Sequence, residues 1–276
     1  MRLVLLTLFA AVLYAQDIVV LKAARMYDGR SNRLTSPALI AIKGGNIESV
    51  GTAPASAQII DLGDATLLPG FIDAHTHLTM PYAEDLDRDR LDGLRKTIPE
   101  KAIDAARNAA VTLRAGFTTV RDVGSTDFLD VGLRDAINHG ATPGPRMLVS
   151  VHALGSLGGH RDFSGGYRFG LFGREPDSSA GIISGPNSAR EAVRFDVKYG
   201  ADVIKTCATG GVLSLADAVD TPQLTQEELN ALVDEAHSLG RKPRPTLTAR
   251  PEPSAPYGPV SIRSSTDRFW MTRHSR

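Results

Sequence analysis

The sequence predicts an α/β protein: a run of βα units carrying a parallel sheet, preceded by a small all-β region and followed by a tail of a different kind. Three observations predict it. Short apolar strands alternate with helical stretches from Phe71 to Leu239. Residues 17–68 show strand and turn signals. Residues 243–276 hold Pro243, Pro245, Pro251, Pro253, Pro256 and Pro259, no lysine and one leucine, so neither period survives there.

The elements follow in chain order. Met1-Arg2 and the apolar run from Leu3 to Ala15 read as a secretory signal peptide over residues 1–15, cut before Gln16. At thirteen residues the run is short for a membrane span, which needs about 20. The bland alternative is a buried first strand or helix. An exported protein (periplasmic or extracellular), with no membrane attachment after cleavage, is the expectation. Residues 16–68 form the small β region, with Lys43-Gly44-Gly45-Asn46 as a hairpin-type turn and Pro69-Gly70 as its break.

Residues 69–242 carry the βα rhythm. Strands are expected at 71–78, 117–123, 146–154 and 201–209, and helices at 100–115, 127–138 and 188–199. Thr225-Gln226-Glu227-Glu228 is a capping box opening a further helix that stops at Gly240. The Gly-rich stretch 155–185 reads as a lid or a loop. Residues 243–276 read as a disordered tail.

Composition narrows the function. The 276 residues carry 31 basic and 31 acidic side chains, and a pI near 7.1 provides no basic field for nucleic acid. A 42% hydrophobic share is enough to bury a core. One cysteine, Cys207, excludes an internal disulfide and any cysteine-only metal cluster.

Two groups carry chemistry. His75 and His77, two apart on an apolar strand, share a face and can hold one cation at its C-terminal end. The bland reading is a pair of partly exposed strand histidines. Lys205 lies inside the apolar fourth strand, where a charge is costly without a partner. It either snorkels at the strand end or stands as a neutral amine that takes up CO₂, becoming a carbamate able to bridge two metals.

At this point the residues resemble a family. Leu67-Leu68-Pro69-Gly70-Phe71-Ile72-Asp73-Ala74-His75-Thr76-His77 looks like the start of the metal-dependent amidohydrolases, in the imidazolonepropionase-like and Xaa-Pro dipeptidase-like branch. Ala115-Gly116-Phe117-Thr118-Thr119-Val120-Arg121-Asp122, Gly158-Gly159-His160 and residues 204–214 agree with it. The resemblance, over about residues 17–242, implies the N-terminal half of a TIM-like (β/α)₈ barrel with strands of an accessory β-sandwich before it. It also implies Zn²⁺ or another divalent metal, one or two ions, held by His75, His77 and a carboxylated Lys205. His160 would face a small-molecule or dipeptide substrate, whose C–N bond is attacked by a metal-activated water.

The pattern then breaks. The family expects histidines after strands five and six and an acid–base aspartate after strand eight, and the expected strands stop at four. His139, His152, His237 and His274 do not fill those places. If each codon starts at the third base of the present one, Lys242 to Ala249 can read AAAHAHG and Pro259 to Ser275 can read GVDSIEHGSFLDDEAF. These are the two missing histidine signatures in order. The expectation is a truncation by a one-base deletion near codon 242, with no catalytic acid–base residue left in the chain. The rivals are a non-catalytic, ligand-binding half-barrel that forms a homo-oligomer, and a tail that is a genuine binding arm.

Overall fold

In the computed structural model, the described residues are 18–80, 85–211, 217–219 and 221–246. The expected signal peptide and residues 247–276 of the tail lie outside them. The chain divides into two compact units between Gly70 and Phe71.

The first unit is all β. Its strands are β1 (Val19–Ala23), β2 (Arg25–Tyr27), β3 (Leu34–Thr35), β4 (Ala38–Lys43), β5 (Asn46–Val50), β6 (Gln58–Asp61) and β7 (Thr66–Leu67). They form two sheets, ordered β5-β4-β1-β6 and β3-β2-β7. Gly44 and Gly45 have φ of 57° and 79°, the left-handed pair that a tight turn between β4 and β5 requires. Ala23, Met26 and Ala38 are buried, with Ile40, Ala65 and Leu67 packed against them.

The second unit starts at β8 (Phe71–Thr76), followed by α1 (Leu86–Arg95), α2 (Ile98–Arg114), β9 (Phe117–Asp122) and α3 (Leu129–Asn138). It continues with β10 (Arg146–Val149), β11 (Ala153–Ser156), β12 (Ile182–Ile183), α4 (Pro186–Lys198), β13 (Val203–Cys207), α5 (Gln226–Ser238) and β14 (Lys242–Thr246). Every strand pairing in it is parallel, in the orders β10-β9-β8 and β12-β11-β13-β14. Helices between parallel strands give the predicted α/β architecture.

Three features depart from the sequence reading. Helix α1 was not foreseen: Asp87, Arg88, Asp89, Arg90, Asp92 and Arg95 leave it little apolar period, and its start rests on Asp85, which accepts from the Asp87 and Arg88 amides at 3.0 and 3.1 Å. The third strand is two strands, β10 and β11, separated at Ser150-Val151-His152. Val151 there has φ of 67°, a rare conformation for a β-branched residue. Its N–H donates to the buried Asp130 carboxylate at 2.8 Å, and its carbonyl accepts the Ser125 N–H at 2.9 Å, so the break leaves both groups satisfied. Lastly, residues 243–246, read as part of a disordered tail, belong to β14. Pro243 and Pro245 remove N–H groups from one edge only, so the other edge can still pair with β13.

Two cores hold the layers. Leu78, Ala105, Ala109, Val120, Leu133, Met147 and Val149 pack together around β9 and β10. The larger core joins Leu154, Ile204, Val193, Leu229 and Leu232 under α4 and α5. Each buried Leu or Ile there contributes about 1.5–3 kcal/mol.

The foreseen capping box is present. Glu228 N–H donates to Thr225 Oγ1 at 3.2 Å, and Thr225 N–H donates to Glu228 Oε2 at 2.8 Å. The second carboxylate oxygen of Glu228 accepts the Gly185 N–H at 2.7 Å, tying the start of α4 to α5. Glu228→Ala strands two backbone donors and is expected to cost about 2–3 kcal/mol in urea unfolding. An unchanged midpoint would show that water replaces the carboxylate without loss.

Candidate metal and substrate site

The groups picked out by sequence lie on the parallel strands, His75 and His77 at the C-terminal end of β8 and Lys205 within β13. His75 is on β8 and His77 directly follows it. Their rings lie 5.4 Å apart, centre to centre, inclined at 66°. The Gly124 carbonyl, just past β9, lies 3.0 Å from His77 Nδ1. A carbonyl only accepts, so Nδ1 carries the proton and Nε2 keeps its lone pair. Asp73 accepts the His75 backbone N–H at 2.9 Å, fixing the turn of the strand between them.

Lys205 is 4% exposed, in the middle of β13 and in register with Ala153. It has no ion pair among the described residues. Burial pushes its ammonium pKa down; the neighbouring Cys207 opposes this, and Arg161 and Arg121 push the same way as burial. Burial, then Lys205, holds His75 down to about 4. His77 is also lowered by burial, against the pull of the Gly124 hydrogen bond. The strand ends thus present neutral imidazoles beside a lysine that gains from becoming uncharged or anionic.

His160 reaches the same cluster from the loop after β11. Its backbone N–H donates to Gln223 Oε1 at 2.8 Å, and the Gln223 amide donates in turn to Asp217. Gly211 lies so close that a Cβ there would run into the His160 ring. Burial lowers the His160 pKa, and Asp217 opposes the shift. The Asp217–Gln223 chain was not foreseen, because its members are ordinary polar residues in a loop.

Sequence reasoning also missed the acids and the arginine behind the site. Asp122, inside one of the quoted motifs, is fully buried; its Oδ2 accepts the Leu78 N–H at 2.6 Å and its Oδ1 has no partner among the described residues. Burial pushes its pKa up to about 7. Arg161 donates from its guanidinium to the Ser125 carbonyl at 2.9 Å. His152, passed over above, pairs with the buried Asp196 of α4 at 2.7 Å. Among the described residues, no three His, Cys, Asp or Glu side chains gather closely enough to hold a metal by themselves.

Comparison with known proteins agrees with this geometry. The profile of the Amidohydrolase family matches residues 66–242. Ochratoxinase from Aspergillus niger is 33% identical over 185 residues, covering 63% of this chain and 38% of that enzyme. A solved Xaa-Pro dipeptidase with methionine in its active site superposes with a TM-score of 0.74 at 34% identity, covering 83% of this chain and 56% of that one. The solved A. niger ochratoxinase gives 0.68 at 27% identity, with 83% and 55% covered. This chain therefore spans about half the length of these solved relatives. With the family profile covering most of its length, and its parallel strands, helices and histidine pair falling where that profile lies, the chain belongs to the amidohydrolase family.

Proposed function

We propose that the chain carries the first half of a metal-dependent hydrolase acting on a C–N bond in an amide, cyclic amide, dipeptide or N-acyl amino acid. The observation that carries this is the pairing of His77, its Nδ1 already engaged by Gly124, with a buried lysine that has no ion-pair partner among the described residues. These donors fit a divalent ion such as Zn²⁺, one or two in number. His75 and His77 would hold it through imidazole nitrogens, and Lys205 through a carbamate formed when the neutral amine adds CO₂ and loses a proton. A bound divalent ion supplies an activated water and polarises a carbonyl. The protein's own groups do the rest: Arg121 and Arg161 favour negative charge at Lys205, and His160, held by Gln223, meets the substrate.

On this reading the 276-residue chain alone shows no useful turnover, since its described residues supply three of the family's metal-binding groups and no acid–base aspartate beside them. The one-base deletion near codon 242 and the N-terminal export signal complete the proposal. The test is to express the 276-residue chain beside a version with one base restored at codon 242. Both are supplied with zinc and offered dipeptides and N-acyl amino acids. Hydrolysis by the restored version only, abolished by chelation, is the expected result. Chelator-sensitive hydrolysis by the 276-residue chain would overturn the inactivity, and a restored version that stays inert would overturn the frame reading. A second reading has support from β8 and β14, each at one end of its sheet order: a non-catalytic half-barrel that pairs with another copy, expected to sediment as a defined dimer.

A further inference from the structure

A cleft of about 420 Å³, a volume suited to a small substrate, is lined by His160 of the site and by Thr79, two residues past His77. Phe163, Tyr167 and Phe172, all from the Gly-rich loop, line another part. The Phe172 ring stands edge-on to both neighbours, with centres 5.4 Å from Phe163 at 85° and 5.5 Å from Tyr167 at 89°. Phe163 is 51% exposed, and Tyr167 and Phe172 are half-buried, so the cluster is open to solvent on the Phe163 side.

Partly exposed aromatic rings lining a cleft are costly to solvate and gain from a ligand that covers them. Two rings set nearly perpendicular to a third offer both faces and edges, which a further ring meets favourably and a saturated group of equal size does not. Part of the charged lining is engaged locally: Lys96 and Asp104 pair at 2.7 Å, and Lys101 donates to the Gly93 carbonyl at 2.9 Å. The rings are set apart from these charges in sequence, on the Gly-rich loop.

From this lining we infer that the cleft is a specificity pocket for an aromatic ring carried next to the scissile C–N bond. The inference rests on the proposed hydrolase reading, since that reading puts the bond beside His160. It sets the substrate class as an amide of an aromatic amino or acyl group.

The test is calorimetric titration of the 276-residue chain, with and without zinc, using three uncharged probes: N-acetyl-L-phenylalaninamide, its cyclohexylalanine analogue and N-acetyl-L-leucinamide. The phenyl probe is expected to bind about 3- to 10-fold tighter than the cyclohexyl probe. Phe172→Leu and, separately, the milder Phe163→Ala should each reduce that preference, with the circular dichroism unchanged. No binding of the phenyl probe, equal affinity for both rings, or a preference that survives both substitutions would overturn the pocket. Zinc content is read on the same samples. A chain that keeps the ring preference yet takes up no zinc retains the pocket and loses the hydrolase reading.

Discussion

Replacing His77 with alanine is expected to weaken zinc uptake by about 100-fold, the scale for losing one well-oriented imidazole from a small ligand set. The orientation is the reason for the size of the effect. The ring is fixed by its Nδ1 bond to the Gly124 carbonyl at 3.0 Å, so Nε2 is offered to an ion without a rotamer search. His75 is more exposed and its ring nitrogens have no such backbone anchor among the described residues, so His75→Ala is expected to cost less. Competition with a chromophoric chelator reads both affinities. If the His77 variant still binds one zinc per chain at native affinity, the histidine pair is not the ion's seat.

A second large effect concerns Asp122 and pH. Burial lifts its carboxyl from 3.8 to about 7, overcoming the Leu78 hydrogen bond that favours the charged form. Between those values the folded chain holds a proton that the unfolded chain has released. Stability therefore falls as pH rises from about 4 to 7 and then levels off, by at most about 4 kcal/mol for a shift of this size. Asp122→Asn is expected to remove that slope and to raise stability at pH 8 by about 2–4 kcal/mol. Urea unfolding at pH 5 and pH 8 for both proteins decides it. A slope that persists in the asparagine variant would place the proton elsewhere.

How much could be read from the chain follows from which residues announce themselves. The positions of His75, His77 and Lys205 on strands or strand ends were legible because polar groups stand out against short apolar strands. The helices α2 to α5 were legible from apolar period and, for α5, from the Thr225–Glu228 box. Helix α1 was not, because its surface is mostly charged and its cap, Asp85, resembles any loop aspartate. Nothing in Ser150-Val151-His152 signals a break: valine favours strands, and the distortion depends on Asp130, twenty-one residues away in sequence. Pro243 and Pro245 signalled the opposite of a strand, since one-edge pairing is a tertiary property. The resemblance supplied the barrel and its metal chemistry; local pattern alone supplied a parallel sheet with two suspicious histidines.

The interruption at Val151 divides the third strand between two sheet orders. β8, β9 and β10 run in one, and β11, β12, β13 and β14 in the other. Val151, in a conformation that costs on the order of 1–3 kcal/mol and braced by Asp130, sits where they part. His75 belongs to the first order, His77 directly follows it, and Lys205 belongs to the second. An ion held by all three would tie the two together, so metal occupancy and resistance to unfolding would rise together.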